Sequence, residues 1–440
     1  MPRSWDSKFP LVEPVGICSA SSHNRHTRRD FIKGAGASAL GLLLSGLPPL
    51  KGGLLAGTGD TPEVTKLKIG FIPLTDCGSV VMAYELGLYK KYGLEVTVSK
   101  EASWAAVRDK LTIGENQASH ILYGMPYAST LGITGAEGQK KDMVIPLVLN
   151  HNGQAITLDN KLKKRGVKTA KDVKKVIEED RGKKTYTFAM TFPPGTHAMW
   201  IRYWLASGGV DPDNDIKLIT IPPPQMVANM RIGNMDGYCV GEPWNARAIF
   251  DGIGFTAITT QQMWKNHPEK VLGITLEFAE KNPKTVKAIL MAVIEAGQYI
   301  DKMENRPHVA EVIGRKEYVN APVEVILGRL QGKYNYGDGR TEQDSDYMKF
   351  YRDGEVTFPW KSHGLWFLTQ HRRWGFIQEA VDYKKVVDAV NRTDLYGEAA
   401  KTLGIPVPKE EYKKETLFDG IEFDPADPEG YIKKFTIRRV

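Results

Sequence analysis

The sequence predicts a two-lobed α/β protein whose lobes are joined by two crossover strands and enclose a ligand cleft. Three observations lead there. At 440 residues, 42% hydrophobic and 25% charged, the chain is long enough for two cores. From Lys66 to about Thr275, short apolar runs alternate with helical stretches, the order expected of β-α-β units and a parallel sheet. Two extended stretches, 144–158 and 271–275, leave one such set and return to it.

Taken in order, Leu67 to Ile72 (LKIGFI) reads as a buried strand, and Pro73-Leu74-Thr75-Asp76 as a turn with a cap. Cys77 to Leu86 carries apolar residues on one helical face and closes at Gly87; a second strand follows by Val98. Ser103 is placed to cap a helix from about Trp104 to Ile113, and His120 to Tyr123 reads as a third strand leading to Met125-Pro126 and another helix. Val144 to Asn150 and Gln154 to Leu158 flank the break His151-Asn152-Gly153 and carry the chain out of the first lobe.

A lysine-rich helix, Thr169 to Glu178, opens the second set and reads as a solvated face. There follow a strand at Lys184 to Met190, a helix at His197 for which Thr196 is a natural cap, a strand at Ile216 to Ile221, a helix at Pro224 to Ile232, and a strand at Gly237 to Val240. The turn Gly241-Glu242-Pro243-Trp244 starts a further helix, and Val271 to Thr275 brings the chain back. Lys281 to Met303 reads as one long helix, 305–405 as mostly helical, and the chain from Pro406 as irregular and charged. The expected division is 1–57 leader and linker, 58–152 first part of lobe 1, 153–270 lobe 2 with the crossovers, 271–405 the return to lobe 1 with C-terminal helices, and 406–440 a surface tail.

The formal charge of +7 is concentrated at the start, where residues 1–57 supply +4 of it. The remainder is nearly balanced, with no basic stripe interleaved with aromatics, so a nucleic-acid partner is not expected. Within that leader, Thr27-Arg28-Arg29-Asp30-Phe31-Ile32-Lys33 precedes a weakly apolar run, Gly34 to Leu47, with small residues near Ala56. This resembles a twin-arginine export signal, which implies the twin-arginine machinery as a partner. The run is too short for a membrane anchor. No cysteine ends it for lipid attachment, so the expected product is periplasmic and soluble after signal cleavage.

Past the leader only Cys77 and Cys239 remain, far apart and without a C-x-x-C or His/Cys cluster. No metal site or disulfide framework is expected, and a Cys77–Cys239 bridge stays an open alternative. No G-x-x-x-x-G-K-[ST] appears, so any ATPase is a separate chain.

Candidate ligand residues fall at the ends of the predicted strands, where the cleft would lie. The stretch TFPPGTHAMW stops a strand and opens a helix at His197, and such a helix start favours anions. Trp104 lies just past the second strand, Gln154 at the start of the outgoing crossover, and Lys270 at the start of the returning one. Each has an ordinary structural alternative: a core indole, a strand amide, a cap, a solvated end charge. Together an indole plane, an amide, an imidazole and an ammonium suit a small flat anion, and Gly241 lets backbone approach the same place.

The segments KIGFIPLTD, ELGLYKKYGLEV, TFPPGTHAMW, YCVGEPWNARA and MWKNHPEKVLGIT resemble the periplasmic nitrate-binding proteins of nitrate ABC importers, from about Lys66 to the tail FDGIEFDP. The resemblance implies a type II-like periplasmic binding protein that captures nitrate, with nitrite left open, and delivers it to an ABC permease with its own ATPase subunits. It carries the nitrate contacts to Trp104, Gln154, His197, Gly241 and Lys270, with no cofactor and no catalysis. In the family's bicarbonate branch an acidic residue working with calcium replaces this lysine, so Lys270 points to nitrate. Nitrate donates no hydrogen bond and suits a site of donors with one cation, and Glu269 is expected to face away from Lys270, on the opposite side of an extended segment. Bicarbonate or another small oxyanion such as a sulfonate is the alternative ligand. A pyridoxal-dependent enzyme making the thiamine pyrimidine is the alternative of another class, against which the missing cysteine-rich motif speaks. Nitrate binding is expected to strengthen mildly below neutral pH if His197 takes a proton beside the anion.

Overall fold

The computed structural model describes residues 61–134 and 140–440, all within one compact unit. The leader, with its export-signal reading, lies outside the described residues. Ten strands precede the C-terminal helices: β1 (Lys66–Phe71), β2 (Glu95–Lys100), β3 (Ala118–Leu122), β4 (Met143–Asn152), β5 (Gln154–Asp159), β6 (Thr187–Met190), β7 (Lys217–Thr220), β8 (Gly237–Gly241), β9 (Gly254–Thr259) and β10 (Pro268–Thr275). A hairpin of β11 (Lys333–Asn335) and β12 (Thr341–Gln343) follows, and then β13 (Met348–Lys349). The first lobe's sheet runs β13-β4-β10-β3-β1-β2, and the second's runs β7-β6-β8-β5-β9.

The parallel-sheet expectation is corrected. β1 pairs in parallel with β2 and β3, but β10 runs antiparallel to β3 and β4, and β5 runs antiparallel to β8 and β9. The reason is topological: β4, β5 and β10 are the strands that pass between lobes, so no crossover helix forces them parallel. All ten residues of β4 are buried, as befits a strand covered on both faces. The chain turns from β4 into β5 at Asn152 (φ 62°) and Gly153 (φ 87°). A Cβ on Gly153 would lie 2.7 Å from Met348 Cε, so glycine serves both the left-handed backbone and the close packing there.

Several elements depart from expectation. β9, the run GFTAIT, was not anticipated; five of its six residues are buried, so it lacks the alternation that marks a half-exposed strand. The long helix expected over 281–303 forms as Pro283–Asp301, with the proline in its first turn, where its missing N–H is not needed, and a separate short helix, Leu276–Lys281, precedes it. Residues 331–360 hold no α-helix, only the one-turn 3-10 helix Arg352–Gly354: helix Val323–Leu330 gives way to β11, β12 and β13, with the hairpin bend at Gly337 and Gly339, both at positive φ. The tail adds a short hairpin, Glu415–Thr416 with Glu422–Phe423, and a helix, Pro428–Lys433. Cys77 and Cys239 are both free and buried, which removes the bridge.

Candidate functional site

Strand ends and one helix start deliver the side chains. Leaving β1, the chain makes a one-turn 3-10 helix, Thr75–Cys77, that carries Asp76. After β2, the Ser103 hydroxyl caps helix Trp104–Thr112 by accepting from the Ala106 amide, which fixes Trp104 at the first helical position. Gln154 opens β5 and pairs in register with Gly241, the last residue of β8. Lys270 lies on β10 beside Leu122 of β3 and Asn150 of β4. Helix Thr196–Ser207 is capped by Gly195 rather than by Thr196; Thr196 is its first residue, and its hydroxyl donates to Glu269 Oε1 at 2.6 Å.

All five sequence-predicted residues converge. His197 Nε2 lies 2.6 Å from Gln154 Oε1 and 3.5 Å from Lys270 Nζ. The ammonium of Lys270 sits 5.9 Å from the Trp104 ring centroid. A Cβ on Gly241 would fall 2.7 Å from Gln154 Oε1, which is why only glycine fits there with Gln154 in place. Every side chain of the cluster is buried, and the lobes meet above it: the Thr75 amide donates to Glu242 O at 2.7 Å, and Trp244 Nε1 to Pro73 O at 2.9 Å. An open cleft of about 560 Å³ bounded by Tyr383, Tyr412 and Pro425 shares no residue with this cluster.

Two carboxylates that the sequence reading did not place in the site belong to it. Asp76 Oδ2 is 2.7 Å from Lys270 Nζ, and its oxygens accept from Gln154 Nε2 at 3.2 and 3.3 Å and from Asn150 Nδ2 at 3.1 Å. Glu269 Oε1 is 2.8 Å from the same ammonium, and Glu269 Oε2 accepts from Trp200 Nε1 at 3.0 Å. The expectations that Glu269 faces away, and that the site holds only donors and one cation, are therefore wrong. Strand alternation fails at this point because β10 shifts register against β4 on both sides of Lys270. Asp76 carried a signal, since PLTD ends the first strand at the mouth of a cleft; its spacing fitted a cap equally well.

His120 is the third addition. Its Nδ1 accepts from the Ile72 amide at 3.4 Å, its ring packs 5.5 Å from that of Trp104, and both its Nε2 and Trp104 Nε1 are buried without a hydrogen-bond partner among the described residues. The electrostatics follow from burial. His197 is held well below the usual histidine range by desolvation and then by the nearby Lys270 charge, and His120 by the same two causes. Desolvation opposes the Lys270 charge, yet Asp76 and Glu269 together outweigh it and raise its pKa. Burial pushes Asp76 up to about 6 although Lys270 pulls it down, because Glu269 competes for the same ammonium. With both histidines neutral, two carboxylates share one cation, so the cluster carries a net charge of −1.

The model of the NMT1-like family matches residues 60–314. A nitrate/nitrite binding protein, NrtA, of Synechocystis sp. is 42% identical over 96% of this chain and 99% of its own length. The crystal structure of the periplasmic nitrate-binding protein NrtA from Synechocystis PCC 6803 superposes with a TM-score of 0.82 at 43% identity, over 86% of this chain and 100% of that one. A bicarbonate-binding protein, CmpA, of Synechococcus elongatus is 36% identical over 87% of this chain and 89% of its own length.

Proposed function

The chain belongs to the NMT1-like family and shares the fold of its periplasmic binding proteins, and from that premise we propose that it is a receptor that captures nitrate between its lobes for an ABC importer. The observation that carries this reading is Lys270, a buried ammonium set among His197, Gln154, Gly241 and Trp104. Nitrate is planar and a weak base; it stacks on an indole and takes in-plane hydrogen bonds from the Gln154 amide, the His197 imidazole and Lys270. Closure over the anion is the change a membrane permease would read. The receptor acts in the periplasm after twin-arginine export, the ATPase is a separate chain, and nitrite is within the same chemistry. Among the described residues, no helix is long and apolar enough to cross a membrane.

Bicarbonate is the second reading, favoured by Asp76 and Glu269, since a carboxylate can accept from its O–H. Against it stand Lys270, at the position where the bicarbonate branch has an acidic residue, and the lower identity to the bicarbonate receptor. The receptor is not an enzyme in this reading. An aldimine-forming lysine must be a free amine, and Lys270 is held as an ammonium by two carboxylates.

Calorimetric titration with nitrate, and with bicarbonate with and without calcium, on the wild-type protein and Lys270→Glu tests the reading. Nitrate binding by the wild type that is lost in the variant is expected. Calcium-dependent bicarbonate binding with no response to nitrate would replace nitrate by bicarbonate.

A further inference from the structure

We propose that nitrate capture is coupled to the uptake of one proton by Asp76, the carboxylate that holds Lys270 in this structure. The inference rests on the nitrate reading of the site and deepens it. Asp76 presents a flat monoanionic carboxylate to the donors assigned to nitrate: Oδ2 is 2.7 Å from Lys270 Nζ and 3.2 Å from Gln154 Nε2. That oxygen also lies 2.9 Å from the point a Cβ on Gly241 would occupy. An entering nitrate must share these donors with Asp76 or take them from it.

Charge decides the outcome. Asp76, Glu269 and Lys270 sum to −1, and every group is buried. A second uncompensated anion in the same closed volume carries a large desolvation and repulsion cost. A proton on Asp76 removes that charge and turns an acceptor into an O–H donor, which suits a ligand that only accepts.

The other titratable groups facing this place are poorer acceptors of the proton. Glu269 already has its oxygens engaged as acceptors, from Thr196 Oγ1 at 2.6 Å, Trp200 Nε1 at 3.0 Å and Lys270 Nζ at 2.8 Å. His197 faces the Lys270 ammonium at 3.5 Å, and His120 already uses Nδ1 to accept from Ile72. The Cys77 thiol is raised by burial and stays neutral, and the Glu242 carboxylate is turned to Arg329 at 3.0 Å. Among the described residues, Asp76 has the neutral amides of Asn150 and Gln154 besides Lys270, and burial already moves it to about 6.

The test is calorimetry of the full chain with sodium nitrate at pH 7 in phosphate and in Tris, buffers of low and high ionisation enthalpy. The enthalpy difference is expected to report about one proton taken up per nitrate, and affinity to fall by about fivefold from pH 6 to 7 and by nearly tenfold from pH 7 to 8, as the proton comes off a group titrating at about 6. Asp76→Asn should bind nitrate with no proton uptake, with affinity flat over that range, and more tightly than wild type at pH 8. Wild-type binding with buffer-independent enthalpy overturns the proposal whether or not the variant folds, and so does proton uptake that persists in Asp76→Asn. Failure of the wild-type protein to bind nitrate at all would instead remove the nitrate reading on which the proposal stands.

Discussion

At the scale of the residue, the central fact is one ammonium between two carboxylates in a closed site. Lys270→Met leaves Asp76 and Glu269 unpaired, and removing one member of a buried ion pair costs about 3–5 kcal/mol. A reduction of that order in urea stability is expected at pH 8 and a smaller one at pH 5, where Asp76, with its pKa near 6, takes a proton; an unchanged midpoint at pH 8 would show that the pair contributes nothing net. Gly241→Ala puts a methyl 2.7 Å from Gln154 Oε1 and 2.9 Å from Asp76 Oδ2, both ends of side chains that can shift. Folding should survive, while nitrate affinity falls at least about tenfold, or about 1.4 kcal/mol, because the Gln154 amide is moved. Wild-type affinity in this variant would take Gly241 out of the site. Their places at predicted strand ends and the family resemblance singled out Trp104, Gln154, His197, Gly241 and Lys270 as candidates, and the fold brings the five together. Asp76 and Glu269 were not legible as site residues: acidic groups look wrong for an anion site until the geometry shows them balancing the lysine.

At the scale of the element, strands and helix starts were readable from local pattern, as at Ser103, whose cap forms as its spacing predicts. The bulged β10 and the mostly buried β9 were not, because a register shift leaves no mark in the sequence and a strand buried on both faces lacks alternation. The contact between lobes also escapes sequence. Gly124, at the start of helix Gly124–Thr130, faces the loop before the His197 helix so closely that a Cβ would lie 2.2 Å from Pro194 O. On the other side, a Cβ on Gly195 would lie 2.4 Å from Leu122 Cδ1. Gly124→Ala is therefore expected to hold the lobes apart. In saturating nitrate its radius of gyration by X-ray scattering should exceed that of wild type, with affinity reduced; identical scattering would mean that this contact does not govern closure.

At the scale of the whole molecule, the two-lobed architecture was legible because alternating elements and two crossover stretches allow few other arrangements. What was not legible is how much titratable chemistry the fold buries. His120, His151, His197, His267, His363 and His371 are all pushed below the usual histidine value of 6.5, chiefly by burial, with His267, His363 and His371 at about 4. A lowered pKa in the folded state means the unfolded chain binds more protons below pH 6.5, so stability present above that value is lost as pH falls toward 4. Each such group contributes up to about 1.4 kcal/mol per pH unit in that window. Asp76, raised to about 6, acts in the opposite direction, one group against six. Melting temperature should fall steadily from pH 6.5 to 4.5, and a flat profile would mean these rings accept protons without unfolding. The central claim, that the Lys270 cluster is the nitrate site, is met most directly by a crystal structure of the protein grown with nitrate. A planar anion is expected against Trp104, within hydrogen-bond distance of Lys270 Nζ, His197 Nε2 and the Gln154 amide, with Asp76 displaced from the ammonium. Asp76 still seated on Lys270, with nitrate bound elsewhere or not at all, would contradict it.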